Sequence, residues 1–218
     1  GIELTINADI IDNPEGFSWA ASLNYSKNDN TIQELIHDVT QFSLGGYDNL
    51  AVLAVVNGGY GEIWGTKFRR VQDETSPDFG KVIVDGNGLP LAEPDREQFY
   101  LGNQNPDALI GFSNTFSYKN ISFGFLIDAR LGGEIFSGTN LALQESGSAA
   151  ITAVNGQRNN IMVDAVVDDG SGNFSPNTVA VSPQQYWNAV ANVSGNLGIS
   201  EANVYDATNI RLRNISLD

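Results

Sequence analysis

Histidine occurs once in the 218 residues, as His37 beside Asp38, and cysteine does not occur. An imidazole next to a carboxylate has parts of an acid–base or metal site. Without a second histidine or any thiol, a His-rich or thiolate zinc set and a Cys nucleophile are excluded, and a solvated loop histidine is the plainer reading. Asp168-Asp169-Gly170-Ser171-Gly172-Asn173 offers Asp168, Asp169 and Asn173 as oxygen ligands for Ca²⁺ in a surface loop. It carries half of the D-x-[DN]-x-[DN]-G spacing and lacks the later glutamate, so an acidic glycine turn is the competing reading. Gly58-Gly59-Tyr60-Gly61 misplaces the third glycine of a dinucleotide fingerprint and reads as a tight turn. Asp85 with Glu93, or Glu62 with Asp73, are carboxylate pairs of the kind used in glycoside hydrolysis. That chemistry is defined by a separation that sequence does not give. No residue is assigned a catalytic role, no cofactor beyond calcium is suggested, and enzyme activity is not expected. Tyr60, Trp64, Tyr186 and Trp187 are flat rings outside the regular strands, suited to stacking on a sugar or packing against a peptide, and equally to packing within a loop.

The elements that position these residues are read from alternation. In Leu109–Gly133, Ile110, Phe112, Phe116 and Tyr118 share one parity while Gly111, Ser113, Thr115 and Ser117 share the other. After a Lys119–Asn120 turn, Ile121, Phe123, Phe125, Ile127, Ala129 and Leu131 continue the apolar set against Ser122, Gly124, Asp128 and Arg130. A period of two places such sets on opposite faces of a strand. The first 26 residues repeat the pattern. Ile2, Leu4, Ile6, Ala8 and Ile10 alternate with polar neighbours, Asp12–Gly16 is a turn, and Phe17, Trp19, Ala21, Leu23 and Tyr25 follow. A soluble β-sandwich alternates in the same way. Two features favour a membrane sheet: small hydrophilic residues on the second face, and aromatics (Phe17, Trp19, Tyr118, Phe123) beside the turns, where a membrane interface wants them.

Leu101–Thr139 closely resembles the late barrel of SusC/RagA-type TonB-dependent outer-membrane transporters; Gly1–Ile32 resembles an earlier hairpin and Val204–Leu217 a later strand. The resemblance implies an all-β chain, antiparallel strands forming part of a transmembrane β-barrel, with long extracellular loops carrying short helices. It implies a bacterial outer-membrane location and import of oligosaccharides or oligopeptides. The implied partners are a SusD-like surface lipoprotein as lid, TonB reached through a plug outside these residues, outer-membrane lipid, and a glycan or peptide ligand. Calcium in an extracellular loop also fits the family. The piece is expected to be internal, and about five strands cannot close a barrel of about 22.

The expected organisation is a barrel hairpin over 1–35, an extracellular excursion with its own hairpin over 36–106, and a second barrel hairpin over 107–136. A further excursion with short helices follows over 137–206, then a strand over 207–218. Within the first excursion, Ile63–Val71 and Lys81–Val84 look extended, but Lys67, Arg69 and Arg70 fall on both parities, which a lipid face does not tolerate. Asp85-Gly86-Asn87-Gly88 is a turn, and Asp48–Gly61 is Gly-rich and suited to folding over the lumen. In the second excursion Leu141–Val154 suits a short helix weakened by Gly147. Ser182-Pro183 starts another that runs to about Asn192. In the last strand Ile210 and Leu212 are out of phase with Ile215 and Leu217, which predicts a bulge. For Arg211 and Arg213 of that strand the resemblance implies lumen-side or structural roles.

Acidic residues outnumber basic ones 26 to 11, a formal net charge of −15, which excludes nucleic acid as a partner class. Two rival readings stand beside the transporter. A soluble β-sandwich carbohydrate-binding or surface adhesion module predicts that the apolar faces of the two hairpins seal against each other. An acidic calcium-dependent adhesin predicts stabilisation by calcium.

Overall fold

The computed structural model describes residues 1–13, 15–94, 99–192 and 198–218; Pro14, in the expected first turn, lies outside them. Among the described residues the strands are β1 Ile2–Ile11, β2 Phe17–Lys27, β3 Gln41–Tyr47, β4 Leu50–Val55, β5 Tyr60–Gly65, β6 Ile83–Val84, β7 Phe99–Asn103, β8 Ala108–Tyr118, β9 Ile121–Leu131, β10 Glu134–Phe136, β11 Ile161–Met162, β12 Val166–Asp168, β13 Phe174–Pro176, β14 Ala180–Val181, β15 Val204–Asp206 and β16 Asn209–Leu217. The α-helices are α1 Gly138–Glu145 and α2 Pro183–Ala191. No helix among the described residues is long and apolar enough to cross a membrane, which says nothing of a β-barrel.

The five long strands form one antiparallel sheet in the order β1-β2-β8-β9-β16. It does not close: β1 and β16 are its edges. Directly opposed residues share a face, and the register lines up the apolar sets across all five strands. Leu4 faces Tyr25, Leu23 faces Phe112, Phe112 faces Ile127, and Ile127 faces Leu212. The opposite face presents Thr5, Asn24, Gly111, Asp128 and Arg211 along one such row. The two hairpins therefore lie side by side in one layer, and their apolar faces are not sealed against each other. Phe112 and Phe123 are still 37 % and 40 % exposed, where a sandwich would bury them.

The bulge expected in the last strand lies between Leu212 and Asn214. It takes up Arg213 as the extra residue and returns Ile215 and Leu217 to the face of Ile210 and Leu212. A second bulge, between Asp9 and Ile11, corrects the simple alternation of β1: Ile11, not Ile10, stands opposite Trp19.

The well-buried apolar residues lie outside this sheet, save Ala108 at the start of β8. They belong to the two excursions, which fold together into one cap. The first supplies the antiparallel sheet β3-β4-β5-β7. Here Tyr60–Gly65 pairs with β4 and β7, while the following segment pairs with Lys81–Val84 through the Arg70–Val82 bridge, so the extended Ile63–Val71 run serves two sheets. Asp85 accepts the amides of Asn87 and Leu89 in the expected turn, with Gly88 at φ +81°.

In the second excursion, α1 starts at Ser137, whose hydroxyl accepts the Asn140 amide, and ends before Gly147 at φ +69°. The start of α2 is a full capping box: the Ser182 hydroxyl accepts the Gln185 amide, the Gln185 side chain accepts the Ser182 amide, and Pro183 occupies the first turn. Pro183, Trp187, Val190 and Ala191 form its buried face at helical spacing. Burying a side chain such as Val190 is worth roughly 1.5–3 kcal/mol.

Apolar packing and buried hydrogen bonds join the excursions. Leu50 and Ile63 pack with Leu141 and Ala191. Val71 and Ile83 pack with Val166, where β6 runs parallel to β12. The buried Thr66 and Ser200 exchange hydrogen bonds: Ser200 Oγ accepts the Thr66 amide at 2.8 Å, and Thr66 Oγ1 accepts the Ser200 amide at 2.9 Å. Gly65 carries no side chain because Ser200 occupies the space a Cβ would need.

Candidate functional site

The long sheet forms a wall whose two faces differ. On the apolar face, Phe17 and Trp19 of β2 meet Phe116 of β8 at ring-centroid distances of 6.1 and 5.6 Å, and Phe116 meets Phe123 of β9 at 6.4 Å. Tyr118 stands beside the short turn with the Lys119 ammonium 5.4 Å from its ring centre. The four aromatics read from sequence as interface residues, Phe17, Trp19, Tyr118 and Phe123, thus gather at the short-turn end of this face. Sequence reasoning missed Asn114, the polar member of the same column. It is 3 % exposed, and its Oδ1 accepts the Trp19 indole N–H at 3.0 Å. On the polar face, Asp128 accepts Arg211 at 3.0 Å and lies 3.7 Å from Arg213. The two arginines therefore flank one carboxylate on that face.

The cap holds the other sequence-read residues and keeps them in separate places. Tyr60 begins β5 and is half exposed. Trp64, two pairs further on, donates its indole N–H to Glu62 at 2.9 Å and packs edge-on against Tyr100 at 6.0 Å. Tyr186 and Trp187 pack edge-to-face at 5.0 Å on α2. Burial pushes the Tyr186 hydroxyl pKa up. Trp187 is 8 % exposed, and its indole N–H is buried without a partner. Beside it, between α1 and α2, lies a cavity of about 420 Å³.

Asp168, Asp169 and Asn173 sit together in the β12–β13 turn. Their oxygens already face donors: Asp168 accepts the Gly170 amide and meets Arg69 at 3.5 Å, and Asp169 accepts the amides of Ser171 and Asn173 and the Asn173 side chain. The Asn173 carboxamide, then the Ser171 amide, hold the Asp169 carboxyl below its ordinary value. Among the described residues no group of three or more His, Cys, Asp or Glu is arranged to hold a metal ion. His37 is exposed in a turn at φ +48°. Gly59 donates its amide to Glu62, so Gly58–Gly61 works as a turn.

A cavity of about 450 Å³ at the junction of cap and wall, not anticipated from sequence, is lined by Asp107, Glu134, Asp206 and Tyr100. Burial, then the nearby carboxylate of Glu134, raises the Tyr100 pKa.

An open arc of antiparallel strands, apolar on one side and hydrophilic on the other, bearing a folded cap on one end, is the architecture of a β-barrel membrane protein. No family model matches the chain. It is similar to the TonB-dependent receptor P3 of Formosa agariphila, 29 % identical over 171 residues, covering 70 % of this chain and 17 % of that receptor. It is similar also to the TonB-dependent receptor P26 of the same organism, 28 % identical over 152 residues, covering 63 % of this chain and 15 % of the receptor. Its fold matches a solved structure of the RagAB peptide importer in the open-open state, with a TM-score of 0.56 at 14 % identity, over 99 % of this chain and 21 % of that one. The chain is similar to TonB-dependent receptors, and it spans 17 % and 15 % of the two curated receptors' lengths.

Proposed function

We propose that this chain is a wall-and-cap segment of a SusC-like TonB-dependent importer of the bacterial outer membrane, and not part of an enzyme. The observation that carries the reading is the five-strand register. It assembles apolar side chains from β1, β2, β8, β9 and β16 on one continuous exposed face, and hydrophilic ones on the other. A face of that kind is stable against acyl chains, where a charge near mid-bilayer costs roughly 2–4 kcal/mol. The Arg211–Asp128 side then borders the lumen. The short turns at Asp12–Gly16 and Lys119–Asn120 are periplasmic, and the cap stands at the cell surface.

The cap closes over an oligosaccharide or oligopeptide and meets a SusD-like lipoprotein lid. TonB acts through a plug outside these residues. The RagAB likeness supports a two-component importer; the cap aromatics Tyr60, Trp64, Tyr186 and Trp187 are the ligand-facing candidates. The test is uptake of fluorescent oligosaccharides and oligopeptides by cells carrying the complete receptor, with and without TonB. Uptake that needs both the receptor and TonB is expected. Uptake that persists without TonB contradicts the reading.

A further inference from the structure

The cavity between α1 and α2 shares Thr152 and Pro183 with a second cavity of about 380 Å³, so the two join along the start of α2. Carboxamides dominate this groove. Gln184 and Asn188, on the exposed side of α2, line the first cavity; Gln157, Asn159 and Asn160 line the second. Gln144, which also lines the first cavity, is spent on the fold, since it accepts the Asn203 side chain; Asn177, elsewhere in the cap, donates to two carbonyls. Gln184, Asn188, Gln157, Asn159 and Asn160, like Asn155 of the second cavity, make no side-chain hydrogen bond to another described residue, so each keeps donors and an acceptor free.

Trp187 adds an apolar wall beside Pro183 and a buried indole N–H with no partner. An unmet donor of that kind costs about 1–3 kcal/mol. Charge is nearly absent from the groove of a chain whose net charge is −15. Its charged members are Arg158 and Glu145, and both are engaged: Arg158 donates to the Gly147 carbonyl, and Glu145 accepts the Asn192 side chain.

We propose that this groove is a binding subsite for a neutral oligosaccharide. Vicinal hydroxyls donate and accept together, as a free carboxamide does, while the C–H face of a pyranose covers an indole. The opposite charges of Arg158 and Glu145 leave the groove without net charge to select a charged glycan. The assignment rests on the importer reading, in which the cap meets solutes outside the cell, and it names the substrate class at one place.

The test uses the complete receptor purified in detergent. Maltohexaose, xylohexaose, cellohexaose and a neutral hexapeptide are titrated calorimetrically, and amide hydrogen exchange locates any binding. At least one hexasaccharide is expected to bind and to slow exchange over 152–160 and 183–192. The double substitution Gln184→Ala with Asn188→Ala, both exposed positions, is expected to weaken that binding about tenfold or more. Trp187→Phe keeps the ring, removes the N–H, and weakens it less. The groove assignment falls if no hexasaccharide binds, if protection appears elsewhere, if the double variant binds like the parent, or if the peptide protects these segments instead. Uptake that continues without TonB overturns the importer reading alone; a groove that binds no sugar in a TonB-dependent receptor overturns this proposal alone.

Discussion

The indole N–H of Trp19 donates to the side-chain oxygen of Asn114, 3.0 Å away, on the apolar face of the five-stranded wall. The two residues come from neighbouring strands, β2 and β8, and Asn114 stands opposite Ala21 on one side and Phe125 on the other. A carboxamide among rings is costly unless it is bonded. The Trp19 bond meets the oxygen, and the amide nitrogen of Asn114 stays without a partner.

Trp19→Phe is therefore expected to destabilise the wall by about 1–3 kcal/mol, because it orphans a buried acceptor. Once Asn114 has been changed to Leu, the same substitution should cost far less, since both partners are then apolar. A double-mutant cycle on urea unfolding of the receptor from lipid vesicles measures the coupling. Additive effects would show that the bond carries nothing.

The cap is expected to open as one body. Thr66 Oγ1 donates to the Gly198 carbonyl at 2.8 Å and accepts the Ser200 amide. Thr66→Val leaves the Ser200 amide without a partner in a buried site and the Gly198 carbonyl with the Asn49 side chain alone, a loss of about 1–3 kcal/mol. Hydrogen exchange of the Ser200 amide should accelerate accordingly, together with exchange in β4 and α2, whose side chains share one core through Leu50, Ile63 and Ala191. Acceleration confined to residues 66 and 200 would contradict a jointly folded cap.

The wall was readable in the sequence because alternation is a local signal. Ile110, Phe112 and Phe116 announce one face, and the phase change between Leu212 and Ile215 announces the bulge that restores it. The start of α2 was readable for the same reason, since Ser182, Pro183 and Gln185 specify their own cap. Asn114 escaped because one polar residue in an apolar column does not break a pattern, and its partner Trp19 is 95 residues away. The cap escaped more widely. The parallel pairing of Ile83 with Val166, and the Thr66–Ser200 exchange, join distant segments that carry no mutual signal. The groove carboxamides lie in segments that read only as polar loop or helix start, so nothing local marks them as neighbours.

The β12–β13 turn has a defined pH response. Hydrogen bonds from the Asn173 side chain and the Ser171 amide lower the folded pKa of Asp169 below its unfolded value. Their contribution is complete above the ordinary carboxylate range and is lost as pH falls through the lowered folded value. Exchange of the Ser171 and Asn173 amides should be flat from neutral pH down to that range, after correction for intrinsic rates, and rise only below it. In Asp169→Ala the rise should vanish, leaving the turn open at neutral pH.

A charge should distinguish the two faces of the wall. Phe112→Arg places a guanidinium on the apolar face and is expected to cost roughly 2–4 kcal/mol if that site is near mid-bilayer. Ser113→Arg, one residue on, points to the hydrophilic side and should cost well under half as much. Folding yield and urea midpoints in vesicles compare them; equal penalties would mean that the faces are not separated as lipid and water.

The 218 residues contain no cysteine, so once any cysteine elsewhere in the receptor is replaced, single cysteines can be introduced and spin-labelled along the wall. The most direct measurement is the accessibility of such labels, in receptor reconstituted into bilayers, to oxygen, which concentrates in lipid, and to a water-soluble nickel chelate. Labels at Leu4, Phe112 and Phe123 should respond to oxygen and not to nickel, while labels at Asn24, Ser113 and Ser122 should show the reverse preference. Labels at Phe112 and Phe123 that are shielded from both reagents would place those rings against a second protein layer and contradict the outward-facing wall.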